Sequence, residues 1–307
     1  MKIGVIGAGA VGCWYGGLLA LAGHEVHLHS RGMAGTLREK GLLLEGLDGR
    51  RMAPVAGIHE SADTVGTCDL VIVAIKATAN ASLPSLVTPL LGPSTVVLTL
   101  QNGMGNVEAL GRILPIERVA AGLCFVCINR EPDGIVRNML PGHVRVASAR
   151  GPAGPHARLC AEALSKAGVD CRTDDSLDAV LWKKLCWNIP FNGLSIATGG
   201  LTTDRILSDR ALRTRALALM LEVSAAATAC GFPFDRKHVD WQFEVTEGMG
   251  PYRPSSLIDY QQGRDVEIEG IWAEPLRRGQ DAGVRMPELT RLLWEIRERV
   301  GARSLTS

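Results

Sequence analysis

In the stretch AVLWKKLCWNIPFNG, Lys184, Asn188 and Asn192 recur at intervals of four. That spacing stacks the three side chains on one face of a helix. Their neighbours are Leu181, Trp182, Leu185, Trp187 and Ile189, so the polar stripe crosses an otherwise apolar segment. Polar groups placed this way carry a large desolvation cost unless they line a cavity. A solvated polar face is the plain alternative, and two tryptophans with few other charges weigh against it. A lysine in a partly dry pocket has its pKa pushed down. It is then suited to give a proton to an oxygen that is gaining negative charge. Pro190 lies within the stripe and removes a helix hydrogen bond, so the helix is expected to kink or end there. The placement of Asn192 is therefore less fixed than that of Asn188.

A second set of residues opens the chain. KIGVIGAGAVGCWYG sets Gly7, Gly9 and Gly12 around Ala8, Ala10 and Val11. In a G-x-G-x-x-G turn the first glycine leaves the strand tightly, the second admits a pyrophosphate and the third lets the helix pack against the sheet. Free N–H groups at the helix start, with the positive end of its dipole, favour the anion. The motif here sits between a strand and a helix, the context that marks a dinucleotide site. The end of the second strand bears on which dinucleotide. An NAD site places an acid there to take the ribose hydroxyls, but this chain reads His27-Leu28-His29-Ser30-Arg31. Arg31 and Ser30 would bind a 2′-phosphate through charge-assisted hydrogen bonds, which favours NADPH over NADH.

Two more strands end in polar residues where ligands of open α/β sheets bind. Lys76 closes DLVIVAIK, and Gln101-Asn102-Gly103 follows VVLTL. Singly, these are a snorkelling lysine and a tight Asn-Gly turn. Together they read as cofactor and substrate contacts, with Asn102 able both to donate and to accept.

The elements that must hold these residues follow from the apolar pattern. KIGVIGA, EVHLHS, DLVIVAIK (69–76) and STVVLTL (94–100) read as strands. A helix is expected over Ala10–Ala22, closed by Gly23, and a weaker Pro-containing one around Ala79–Leu91. This alternation predicts an α/β fold with a doubly wound, Rossmann-type parallel sheet. VAAGLCFVCINREPDGIVRN and HVRVASA suggest antiparallel edge strands with a Pro-Asp-Gly turn. From Asp174 the texture is helical, so the expected domains are residues 1–173 and an all-helical 174–307.

At 307 residues two domains fit, and 46% apolar with 21% charged residues allows a sizeable core. A net charge of +1 gives no electrostatic case for nucleic acid or an acidic membrane as partner. No apolar run is long enough for a membrane span, and no signal-peptide pattern is expected at the N-terminus. The eight scattered cysteines point to a reducing compartment, the cytoplasm. Cys124 and Cys127 read as a buried thiol pair on one strand, and His27 and His29 share a strand face without a third ligand, so no metal site is expected. Asp259, Glu267 and Glu269 read from spacing as surface acids. The amphipathic run RALRTRALALMLEV would serve a core or a homodimer equally, leaving monomer and dimer open.

Taken in order, the pieces GAGAVG, SRG, VAIKA, LQNGMGN, WKKLCWN with a following Asn, LMLEV and PSSLIDYQQGRDVEIEG…AGVRMP resemble the ketopantoate reductase family (2-dehydropantoate 2-reductases) over nearly the whole chain. The resemblance implies NADPH-dependent reduction of a 2-oxo acid, ketopantoate to pantoate, on the way to pantothenate and coenzyme A. It implies that Arg31 recognises the 2′-phosphate and that Lys184 protonates the keto oxygen. It further implies that Glu267 contacts the substrate hydroxyl and the lysine, and that Asn102, Asn188, Asn192 and Ser255 hold the substrate. Lys76 would lie near cofactor and substrate. The family often has Pro after its second helix asparagine, where this chain has Gly193, and Pro190 stands earlier. A reductase of another 2-oxo acid remains open. The 3-hydroxyacid dehydrogenases also carry Lys-x-x-x-Asn, but the glycine-rich run before their lysine is missing from SLDAVLWKK. A nucleotide sensor would have no use for a lysine on an apolar stripe.

Overall fold

Within β1, Lys2–Ile6, all residues from Ile3 onward are buried because strands flank the run on both sides and helices cover both faces. A computed structural model describes residues 1–131, 134–139 and 142–304. After β1 come β2 (Glu25–His29), β3 (Leu42–Gly46), β4 (Gly49–Ala53), β5 (Gly57–His59) and β6 (Leu70–Val73). The remaining strands are β7 (Val96–Thr99), β8 (Val119–Phe125), β9 (Ile128–Arg130), β10 (Val136–Asn138), β11 (His143–Ser148) and β12 (Cys171–Asp174). The helices among them are α1 (Ala10–Leu21), α2 (Ala34–Lys40), α3 (Leu83–Val87), α4 (Asn106–Leu110) and α5 (Pro155–Lys166).

The eight-stranded sheet runs β12-β11-β8-β7-β6-β1-β2-β5, parallel throughout except where β11 meets β8. Alternate residues feed two cores. Ile3, Val5, Val26, Leu28 and Ile72 pack with α1 and α5, while Ile6, Val71, Val73 and Val97 pack with α3 and α4. This is the doubly wound α/β sheet that the strand pattern implied. Gly23 leaves α1 at φ +86°, the left-handed exit expected of it. The segment around Ala79–Leu91 is broken into a 3-10 turn at Ala77–Ser82, α3, and another at Thr88–Leu90.

A second sheet, β4-β3-β10-β9, was not foreseen. Its strands β3 and β4 form a hairpin over Leu42–Ala53, and the parallel β10–β3 pair joins distant segments. Cys124 lies in β8 and Cys127 after it, so they do not share one strand as expected, and both are half-buried thiols. Residues 132 and 133 of the Pro-Asp-Gly turn lie outside the described residues.

The second half is helical: α6 (Leu177–Ala197), α7 (Thr203–Ser208), α8 (Arg210–Ala229), α9 (Arg236–Gly248), α10 (Ser255–Gln261), α11 (Glu274–Asp281) and α12 (Pro287–Ser304). Asp209 separates α7 from α8 and caps the latter, accepting from the Ala211 and Leu212 N–H groups. The inner face of α8, including Leu219, Met220 and Val223, joins the helical core. By compactness the chain divides into Met1–Gln101 with Asn106–Leu177, and Asn102–Gly105 with the chain from Asp178 onward. No helix among the described residues is long and apolar enough to cross a membrane.

Candidate active site

The N-terminal turn needs its glycines for distinct reasons. Gly7 leaves β1 at φ +105°, and a Cβ there would lie 2.7 Å from the Ile75 nitrogen. A Cβ on Gly12 would collide with the Gly7 carbonyl and stand 3.1 Å from Ala74 Cβ. A Cβ on Gly9 would meet nothing within 4 Å, so the backbone faces open space there. Gly9 is also the N-cap of α1, with no side-chain cap and no acid in the first turn. The leading N–H groups of a 12-residue helix are thus left for an anion. The arrangement fits a diphosphate.

Arg130, on β9, donates through Nη1 to the Ala8 carbonyl at 3.0 Å. A guanidinium therefore stands beside the same turn. Sequence reading missed Arg130 because its place depends on the unforeseen small sheet.

At the end of β2, Ser30 Oγ accepts from the Met33 N–H at 3.2 Å. Arg31 is exposed, with no carboxylate paired to it among the described residues. His29 is buried, and its Nδ1 has no hydrogen-bond partner. Burial pushes the His29 pKa down, and the Arg31 charge adds to this against a backbone hydrogen bond with Glu60. His27 Nδ1 meets His59 Nε2 at 3.0 Å and its Nε2 meets Glu25 Oε1 at 2.9 Å. Among the described residues no group of three or more His, Cys, Asp or Glu could hold a metal ion. Lys76 is half-buried and immediately precedes the 3-10 turn Ala77–Ser82.

In the helical unit, Lys184 Nζ donates to Asn102 Oδ1 at 2.9 Å. Asn102 begins the tetrapeptide Asn102–Gly105, which docks by its backbone: Met104 N donates to the Gly270 carbonyl at 2.8 Å. Gly270 lies in a π-helical turn, Glu269–Ala273, a local widening frequent at functional sites. Glu267, two residues before that turn, is buried at 8% exposure. Asn188 is half-buried on the Lys184 face and takes no side-chain hydrogen bond among the described residues.

Two family descriptions match the chain: "Ketopantoate reductase PanE/ApbA" over residues 3–151 and "Ketopantoate reductase PanE/ApbA C terminal" over 176–299. The chain belongs to the ketopantoate reductase family. A 2-dehydropantoate 2-reductase of Nostoc sp. is 33% identical, the match covering 96% of this chain and 94% of that one. The crystal structure of 2-dehydropantoate 2-reductase from Geobacter metallireducens GS-15 superposes with TM-score 0.93 at 36% identity, covering 97% and 99% of the two chains. A ternary structure of D-mandelate dehydrogenase with NADH and anilino(oxo)acetate has TM-score 0.90 at 22% identity, over 98% and 99%, and shares the fold. The protein is accordingly an oxidoreductase of the CH–OH class.

Several expectations for this ketopantoate reductase family member need correction. α6 neither ends nor breaks at Pro190 but runs unbroken from Leu177 to Ala197. Pro190 is buried, and the Trp272 indole N–H donates at 3.0 Å to the Ile189 carbonyl beside it, so packing holds the helix through the lost bond. Asn192 is 1% exposed, and its Oδ1 accepts from the Ser256 N–H at 2.9 Å. Its amide thereby ties down the start of α10, whose first residue is the exposed Ser255. Asp259 is not a surface acid: it is 7% exposed and pairs with Arg264 at 2.9 Å. Glu267 is likewise buried, whereas Glu269 is exposed as expected.

Proposed function

We propose that this protein reduces 2-dehydropantoate to pantoate with NADPH, supplying pantothenate and coenzyme A synthesis. Residues 1–173 would bind the dinucleotide and 174–307 would carry the substrate. The observation that carries the reading is the Lys184 Nζ to Asn102 Oδ1 hydrogen bond at 2.9 Å, made by a lysine on an apolar helix.

The Gly7–Gly12 turn and the N-terminus of α1 would hold the diphosphate, with Ala8, Ala10 and Val11 supplying backbone. Arg31, with Ser30, would take the 2′-phosphate, and the missing acid at the end of β2 supports NADPH over NADH. When bound, the reduced nicotinamide supplies the hydride. The chain's own part is the proton, which Lys184 Nζ delivers to the 2-oxo oxygen as that oxygen gains charge. Asn102 Oδ1 accepts from Lys184 Nζ and so aims it. Asn188 and Ser255 have open donors and acceptors for the substrate's carboxylate and hydroxyl. Glu267, held in a dry environment, would take the hydroxyl, and Asn192 would keep Ser255 in place. Lys76 would contact the cofactor.

The experiment is to follow the absorbance of reduced nicotinamide with ketopantoate, using NADPH and NADH in turn. Oxidation of NADPH in strong preference to NADH is the expected result. Tight NADPH binding without turnover would overturn the substrate and direct attention to other 2-oxo acids.

A further inference from the structure

The segment that carries Asn102 is held in an unusual way. Gly103 and Gly105 both adopt positive φ, +82° and +92°, so the chain doubles back within four residues. The two residues flanking that excursion, Gln101 and Asn106, are both hydrogen-bonded to one side chain. Gln101 Nε2 donates to Asn80 Oδ1 at 2.8 Å, and Asn80 Nδ2 donates to Asn106 Oδ1 at 2.9 Å. Behind Gln101 the chain of bonds continues into the sheet: Thr99 Oγ1 donates to Gln101 Oε1 at 3.0 Å and accepts from the Gln101 N–H at 3.2 Å. Thr99 and Asn106 are 2% and 4% exposed. The four side chains thus form a head-to-tail relay from β7 to α4, each donating to the next. In a low-dielectric setting such a relay is rigid and costly to leave half-made.

We propose that Asn80 is a positioning residue for the proton-delivering lysine: by gripping both ends of the loop 101–106 it fixes the Asn102 carbonyl against Lys184 Nζ. The inference rests on the reductase reading for its effect on turnover, but not for its effect on the lysine. The carbonyl and NH2 of the single Asn80 side-chain amide decide where the loop begins and ends, and a four-residue excursion with fixed ends has little freedom left at its tip. A displacement of about 1 Å in a supporting group is enough to cost ~100-fold in rate.

The test has one readout that needs no substrate. A hydrogen bond from the ammonium to Asn102 favours the charged lysine, so loosening Asn102 should lower the pH at which Lys184 loses its proton. That midpoint is read from the pH dependence of Lys184 acetylation by acetic anhydride, measured on the Lys184 peptide by mass spectrometry. In Asn80→Ala the midpoint should fall by about one pH unit, as in Asn102→Ala. The double variant should fall no further than Asn102→Ala alone. Asn80→Asp keeps the acceptor for Gln101 and removes the donor to Asn106, and should move the midpoint the same way if Asn80→Ala does not fold. With ketopantoate and NADPH, kcat of the Asn80 variants should drop roughly 10–100-fold with little change in NADPH binding. A titration curve that superposes on the wild type, or midpoint shifts that add in the double variant, would overturn the proposal. Wild-type protein inactive on ketopantoate would overturn the substrate reading alone, since the acetylation curves still decide the role of Asn80.

Discussion

Gly103 meets Gly270 backbone to backbone: a Cβ on Gly103 would stand 2.5 Å from both the carbonyl carbon and the oxygen of Gly270. With φ at +82°, Gly103 is barred to other residues on two independent counts. The contact seats Asn102–Gly105 on the π-helical turn that follows Glu267 and leaves Asn102 beside Lys184. Gly103→Ala should cost ~1–3 kcal/mol through strain. Its larger effect should be on turnover, with kcat down about 100-fold while NADPH binding, followed by its fluorescence, is unchanged. A variant that keeps full kcat would show that the docking is dispensable.

Lys184→Ala separates chemistry from binding. Removing a positioned acid should reduce kcat by ~10²–10⁴, whereas the glycine turn and Arg31, proposed to hold the dinucleotide, remain in place. Equal loss of NADPH affinity and turnover would mean that the lysine serves the cofactor, not the proton.

The candidate residues legible in the sequence are those carried by local spacing. Gly7, Gly9 and Gly12, the Lys184-Asn188 stripe and the strand-end positions of Lys76 and Asn102 each follow from a period or a turn. What was hidden depends on long-range pairing. Arg130 reaches the Ala8 carbonyl from a strand whose partners, β10 and then β3, come from segments far apart in the chain. Glu267 and Asp259 lie in a run of charges that reads as surface, and only tertiary packing buries them. Pro190 misled because the rule for isolated helices omits the buried neighbours, Trp272 among them, that hold α6 together.

Arg31 and Arg130 should be distinguishable by the cofactor used. Arg31→Ala should weaken NADPH binding roughly 10–100-fold, the worth of about 1.5–3 kcal/mol of charge-assisted hydrogen bonding, and leave NADH nearly unaffected. Arg130→Ala acts at the turn common to both dinucleotides, so NADPH and NADH should lose affinity in the same proportion. Kd values by titration calorimetry with both cofactors decide the matter. A selective effect from Arg130 would reverse the two assignments.

His29 gives the fold a pH dependence of known sign. Burial holds its pKa below the usual 6.5. Between that lowered value and 6.5 the unfolded chain binds a proton that the folded one refuses. Stability should therefore be full above this range and decline as pH falls through it. His59 and His238, also pushed down mainly by burial, act in the same direction. His29→Phe should make the fall in Tm between pH 7.5 and 5.5 (chosen to bracket roughly the free histidine range) shallower without abolishing it. An unchanged slope would show that His29 does not contribute.

The surroundings of Gly193 explain why glycine stands here. A Cβ at 193 would lie 2.6 Å from Leu292 Cδ2 and 2.8 Å from Trp272 Nε1. The same indole N–H donates to the Ile189 carbonyl, so the ring that supports α6 beside Pro190 occupies the space a side chain would need. Gly193→Ala should overpack this contact at a cost of about 1–3 kcal/mol, seen as a Tm several degrees lower. Gly193→Pro should be worse, because a second ring would remove another hydrogen bond from a helix that already lacks one at Pro190. Pairing it with Trp272→Phe relieves the clash at the indole nitrogen but gives up the bond to Ile189. The double variant should therefore recover little. Full recovery would mean that α6 passes Pro190 without help from Trp272.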